Sequence, residues 1–202
     1  MKKLALGALA LFPSLVFADR LITVPMSIKV PRGELDFSTL YRTGDKRFES
    51  WMSYGLNRHV DLEIYTSDAV REGKRFSGGF AYQLLPAIED TSPGIAIGVQ
   101  DVANITGRGR VGYLAFTYRS ANSGDYNQDV PSELTFGFWT YDKGLFYVGA
   151  KLPLSNQFWL IGEHDGEDLN WGASLTVSPS ANVRFLFMRG RSTLELTTRV
   201  AF

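Results

Sequence analysis

The chain has 202 residues, 45% hydrophobic and 13% aromatic, with 21 basic residues, 21 acidic residues and no cysteine. A formal charge of zero excludes a nucleic-acid binder acting through bulk charge. The lack of cysteine excludes a disulfide framework and a cysteine-linked lipid anchor.

"MKKLALGALALFPSLVFA" (1–18) opens with two lysines, continues as an apolar run and ends Val16-Phe17-Ala18. That pattern reads as a secretory signal peptide cut after Ala18. The apolar stretch is short for a membrane span of ~20 residues, and Pro13 interrupts it. Setting aside Lys2 and Lys3 leaves 19 basic against 21 acidic residues. Residues 19–33 form a leader. Pro25 and Pro31 keep it out of a central strand, so it is expected to lie along or inside the domain that follows.

From residue 34 onward, period-2 alternation replaces any helical period. Twelve segments alternate: 34–42, 48–56, 58–66, 75–85, 94–102, 110–120, 132–142, 144–154, 157–165, 168–178, 181–189 and 192–202. Each has about the length that a tilted transmembrane strand needs, ~9–11 residues. In the first, Leu35, Phe37, Thr39 and Tyr41 share one face and Leu40 is an exception on the other. The connections carry turn chemistry, as in "YDKG", "HDGED" and "SPSA". No linker divides the chain, so residues 34–202 read as one domain.

The polar faces are rich in Gly, Ser, Thr and Asn with isolated charges of both signs. The apolar faces are bulky and carry aromatics: Tyr41, Trp51, Tyr54, Tyr82, Tyr118, Tyr141, Tyr147, Trp159 and Trp171, read as membrane-interface residues. These features predict an all-β fold, a single antiparallel up-and-down transmembrane β-barrel of about 12 strands with a polar lumen. The expected location is the cell outer membrane. Asp36, Glu63, Arg75, Glu163, Arg184, Glu195 and Arg199 are the candidate lumen charges, which either select solutes or pair and fill the bore.

A closed barrel requires the last strand to pair with the first, because lipid tolerates no unpaired sheet edge. Leu194, Leu196, Thr198, Val200 and Phe202 make one lipid-facing row of "STLELTTRVAF" (192–202). The terminal Phe202, with Leu196, Thr198 and Val200, resembles the C-terminal sorting signal of bacterial outer-membrane barrels. That resemblance implies the barrel-assembly machinery as a partner, beside outer-membrane lipid and lipopolysaccharide. With both termini periplasmic, the connection "SANSGDYNQDVP" falls on the periplasmic side, where turns are normally short.

Two stretches carry a narrower resemblance. "PGIAIGVQDVANITGRGRVGYLAFTYR" (93–119) holds a Gly-hydrophobic-Gln-Asp strand through Gln100 and Asp101. "FWLIGEHDGEDLNWGASLTVSPSANVRFLFMRG" (158–190) holds a Glu-x-Asp-Gly turn through Glu163, Asp165 and Gly166, then an Asn-x-Gly strand. Both are similar to YjbH-like outer-membrane barrels, and the resemblance implies a link to exopolysaccharide export or envelope structure.

Candidate chemistry is sparse. His59 and His164 are the only histidines, and no serine nucleophile motif lies near His164. "EHDGED" gathers four carboxylates at residues 163–168; a hairpin turn explains it, and a Ca²⁺ or lipopolysaccharide-bridging site is the alternative. "GRGR" (107–110) is a lone basic turn that could meet lipopolysaccharide phosphates. No cofactor, metal or nucleic-acid motif is present. The sequence therefore points to a non-enzymatic, passive role: a narrow channel or envelope-structural barrel, with polysaccharide or small solutes as what it handles. The alternatives are an outer-membrane lipid-modifying hydrolase or acyltransferase and a soluble periplasmic ligand-binding barrel.

Overall fold

The computed structural model describes residues 20–44, 46–67, 76–106, 109–121, 130–140 and 144–202. The signal segment, Arg75, Tyr141 and most of the connection after residue 120 lie outside the described residues.

Twelve strands follow one another: β1 (Glu34–Arg42), β2 (Arg47–Gly55), β3 (Val60–Ser67), β4 (Phe76–Leu85), β5 (Gly94–Gln100), β6 (Val111–Ser120), β7 (Ser132–Trp139), β8 (Phe146–Pro153), β9 (Phe158–His164), β10 (Leu169–Ser178), β11 (Ala181–Met188) and β12 (Arg191–Ala201). Each pairs antiparallel with its sequence neighbours, and β12 closes on β1, with Glu34 opposite Ala201 and Arg42 opposite Thr193. All twelve alternating segments become strands within a few residues of their expected bounds. The fold is an all-β, closed, up-and-down antiparallel barrel.

Two-residue turns tighten the ends where the sequence supplies them. Between β11 and β12, Arg189 and Gly190 both take positive φ, 53° and 73°. A hairpin turn of that hand matches the right-handed strand twist, and glycine meets its second position without strain.

The exterior is a girdle of large apolar side chains. Phe76, Leu169 and Phe185 expose 66%, 67% and 61% of their surface. A water-soluble barrel would turn such residues inward, so this outside is built to face lipid. Leu194, Leu196, Val200 and Phe202 lie on this face, with Thr198 half-buried on the same row. The opposite row of β12 (Thr193, Glu195, Thr197 and Arg199) is buried in the interior.

Three aromatics assigned above to the membrane interface point into the barrel instead. Tyr147 and Trp159 are buried, and Trp51 is half-buried on the inward row of β2. Strand parity decides this: Trp51 shares a face with Ser53, Tyr147 with Lys151, and Trp159 with Glu163. Each ring has an interior partner. Tyr147 lies 5.1 Å from Trp139, and its hydroxyl donates to the Leu114 carbonyl at 3.2 Å. The Lys151 ammonium sits 5.1 Å from the Trp159 ring, and the Arg20 guanidinium 5.8 Å from Trp51. Tyr82, Tyr118 and Trp171 do face outward.

Candidate functional site

The lumen is occupied by the chain's own leader. Residues 20–33 enter beside the end of β2, where the Gly33 N–H donates to Gly55 O at 2.9 Å. The Phe202 N–H donates to Gly33 O at 3.0 Å, which carries the β1–β12 seam to the foot of the leader. From there the leader climbs the bore and turns back at Leu21–Val24 through a 3.0 Å backbone bond. Leu21, Val24 and Met26 pack against Leu40, Ile161 and Leu186 on the inward wall. A barrel interior that would otherwise be wet thereby holds an apolar core, which the hydrophobic effect drives shut.

Backbone polar groups of the leader need partners in that setting, and the wall supplies them. Glu163 accepts from the N–H groups of Ile22 at 2.9 Å, Thr23 at 2.9 Å and Val24 at 3.2 Å, and from Thr23 Oγ1 at 2.6 Å. Asn170 Nδ2 donates to the same carboxylate at 3.1 Å. Arg184 Nη1 donates to Leu21 O at 2.9 Å, the Thr117 hydroxyl accepts from the Ser27 N–H at 2.9 Å, and Gln83 Nε2 donates to Ser27 O at 2.6 Å. Asp61 Oδ2 accepts from the Val30 N–H at 3.1 Å. Side chains from five strands, β3, β4, β6, β9 and β11, thus grip one segment.

Glycines on inward rows leave room for it. A Cβ on Gly55 would stand 2.1 Å from Pro31 O, and one on Gly149 would stand 2.3 Å from Leu21 Cδ2. The Gly55 approach is to backbone and is incompatible with a side chain while the leader stays in place, whereas at Gly149 the Leu21 side chain would have to shift.

The candidate lumen charges resolve into pairs. Arg199 binds Asp36 through two nitrogens and lies 3.4 Å from Glu34. Arg184 stands 3.6 Å from Glu195, which also accepts from Thr197 Oγ1 at 3.1 Å. Glu63 pairs with Arg20 of the leader, and Glu163 holds the leader backbone. Arg75 falls outside the described residues. A further set joins Glu133 to Arg119 at 3.5 Å and to Lys151 at 3.7 Å, and Asp61 to Lys29 of the leader at 3.7 Å. Charges buried in a narrow bore persist only when matched in this way.

The leader contacts were not read from the sequence. Their signal was the set of apolar residues on the polar rows, Leu40, Ile161 and Leu186, which have no use in a water-filled bore.

The acidic turn gathers no metal site: among the described residues, no group of three or more His, Asp or Glu side chains could hold one. Glu163 points inward to the leader, Asp165 caps its own turn by accepting from the Asp168 N–H at 2.8 Å, and Arg189 spans Asp165, Glu167 and Asp168. His164 and His59 are exposed at opposite ends of the barrel. Arg110 of the basic turn donates to the Val102 carbonyl at 2.7 Å.

An opening lies at each end of the barrel. At the end opposite the strand termini, a cup of about 580 Å³ is walled by Trp51, Tyr65, Arg42, Asn170 and Arg189 and floored by the leader tip. Asp101 fastens its rim, accepting from the N–H of Ile105 at 2.8 Å, the N–H of Thr106 at 2.7 Å and Thr106 Oγ1 at 2.6 Å. Burial alone would raise the Asp101 pKa, but these donors outweigh it and bring it down to about 2. At the end holding the termini, a pocket of about 410 Å³ borders the leader's base.

No protein-family model and no curated protein matches the sequence. Among solved structures the chain is similar to the Acinetobacter baumannii outer membrane protein Omp33. The TM-score is 0.50 at 9% identity, covering 84% of this chain and 97% of that one. The N-terminal β-barrel domain of Pseudomonas aeruginosa OprF aligns over 84% of this chain and 98% of its own, at 9% identity and a TM-score of 0.26. The likeness to Omp33 is one of fold.

Proposed function

We propose that this chain is an outer-membrane barrel with a passive role: a narrow bore that its own N-terminal segment holds shut. The observation that carries this reading is the Glu163 carboxylate accepting three successive leader N–H groups inside the lumen. The apolar girdle, the exportable N-terminus and the Omp33-like fold support the location. The termini then lie on the periplasmic side and the cup faces outward. Catalysis is not part of the reading, because the two histidines are exposed at opposite ends of the barrel and the sequence places no serine nucleophile motif near His164. The tie to exopolysaccharide implied by the YjbH-like resemblance would act at the cup, because the leader fills the bore.

Withdrawal of the leader removes Arg20 and Lys29 from the lumen and leaves behind the three carboxylates they and their neighbours engage: Glu63, Asp61 and Glu163. An opened bore therefore prefers cations. The test is conductance in planar bilayers of the mature chain and of a variant lacking residues 20–30, with heat-dependent gel mobility confirming that both fold. The full chain is expected to stay closed and the shortened one to conduct with a cation-selective reversal potential. Steady conductance of the full chain equal to that of the shortened one would overturn the reading.

A further inference from the structure

The pocket at the termini end is lined by four cations, Lys29, Arg32, Arg58 and Arg119, and by no carboxylate. Two belong to the leader and two to the wall. Lys29 is buried, with 4% of its side chain exposed. Its ammonium stands 3.7 Å from Asp61 Oδ2 and makes no hydrogen bond. Arg119 Nε is likewise buried, 3.5 Å from Glu133 and without a hydrogen-bond acceptor. Arg32 and Arg58 are exposed at the rim. Ammonium and guanidinium groups buried with donors unspent are costly, and like charges gathered around one cavity repel. An anion with several acceptor oxygens relieves both at once, and guanidinium forks match the spacing of phosphate oxygens.

We propose that this pocket binds a phosphate oxyanion, which bridges Lys29 and Arg32 of the seated leader to Arg58 and Arg119 of the wall. The bound anion stitches the plug to the barrel at its base, where Glu163 does not reach. The inference rests on the leader being seated, since half the site belongs to it. The phosphate group has two possible sources, a free phosphate or phosphorylated solute and a lipid headgroup.

The test is isothermal titration of the full chain in dodecyl maltoside micelles with inorganic phosphate and, separately, with dihexanoyl-phosphatidylglycerol. Chloride at matched ionic strength is the control. One saturable site for phosphate is expected, absent for chloride. Affinity should weaken at least roughly tenfold in the Arg32→Gln/Arg58→Gln double variant, whose rim positions spare the fold, and again in Lys29→Gln. Saturable binding of the phosphatidylglycerol alone, weakened by the same substitutions, supports the site with a lipid headgroup as its source. Heats that match chloride for both probes, or affinities that the substitutions leave unchanged, overturn the proposal. Bilayer conductance of the same preparation separates the two readings. A full chain that conducts steadily defeats the plug itself, whereas a closed barrel that ignores phosphate defeats only this site.

Discussion

The Ile22 N–H donates to Glu163 Oε2 at 2.9 Å across 141 residues of chain. This bond and its neighbours at Thr23 and Val24 join the start of the leader to the inward face of β9. They convert a row of wall polarity into a socket. A carboxylate offers about four acceptor sites, whereas a hydroxyl or an amide oxygen offers about two. The position thus favours Glu over the Ser, Thr and Asn that fill other inward sites.

Removing that carboxylate should loosen the plug without opening the barrel. Glu163→Ala leaves the buried N–H groups of Ile22 and Val24 without their acceptor, each costing about 1–3 kcal/mol, and strips the half-buried Thr23 N–H of its own. Glu163→Gln keeps one acceptor oxygen and should fall between. Hydrogen exchange in micelles is the measurement: amides 22–24 are expected to lose protection in Glu163→Ala while β10 and β11 keep theirs. Unchanged protection at 22–24 would show that the leader is held elsewhere.

Steric exclusion offers an independent route. A Cβ at Gly55 would overlap the Pro31 carbonyl oxygen at 2.1 Å, and backbone cannot swing aside as a side chain can. Gly55→Ala should therefore displace the leader from its base. The chain has no cysteine, so a single Ile22→Cys reporter reads the result cleanly. Its reaction with a water-soluble maleimide is expected to be slow in the parent barrel and faster when Gly55→Ala is added. Equal rates would mean that the leader tolerates the clash.

The strands were legible because a half-wet sheet imprints period 2 on its sequence, and β1 is the clearest instance, with Phe37 outside and Asp36 and Ser38 inside. Trp51, Tyr147 and Trp159 depart from the expectation because parity along the strand, not ring chemistry, sets the side on which a residue lies. A Tyr or Trp suits a membrane interface and a packed lumen equally well, and only its place in the alternation separates them. Leu40 was visible as an exception on the polar face of β1, yet its meaning depended on Leu21 and Met26, which lie in a leader with no periodicity of its own. The grip of Glu163 was beyond reach for another reason. Its principal partners are backbone amides, and a backbone amide leaves no mark on residue type.

The seam of the barrel supplies a prediction about stability. Asp36 on β1 and Arg199 on β12 are directly opposite in the register and share two hydrogen bonds inside the lumen. Asp36→Ala leaves a buried guanidinium with one fewer carboxylate, a loss of roughly 3–5 kcal/mol for a buried pair broken on one side. The temperature at which the SDS-resistant form converts to the slow-migrating form is expected to fall. Adding Arg199→Ala should restore part of the difference, since the orphaned charge is then gone. No recovery in the double variant would place the effect outside the pair.

The rim of the cup should respond to acid through Asp101. Burial pushes its pKa upward, but the donors from Thr106 and Ile105 prevail and hold it at about 2, below the ordinary 3.8. A carboxylate depressed in the folded state stabilises that state fully above its unfolded pKa. The contribution then fades as pH falls from about 3.8 through about 2. The 101–106 connection should therefore keep its hydrogen bonds at pH 4 and release them near pH 2. Amide chemical shifts of Ile105 and Thr106, followed by NMR in micelles, are expected to titrate together with a midpoint near 2. Asp101→Asn should abolish that titration and lower the protection of both amides at neutral pH. A midpoint near 3.8 in the parent chain would mean that the three donors do not grip the carboxylate, and the rim would then be fastened by other contacts.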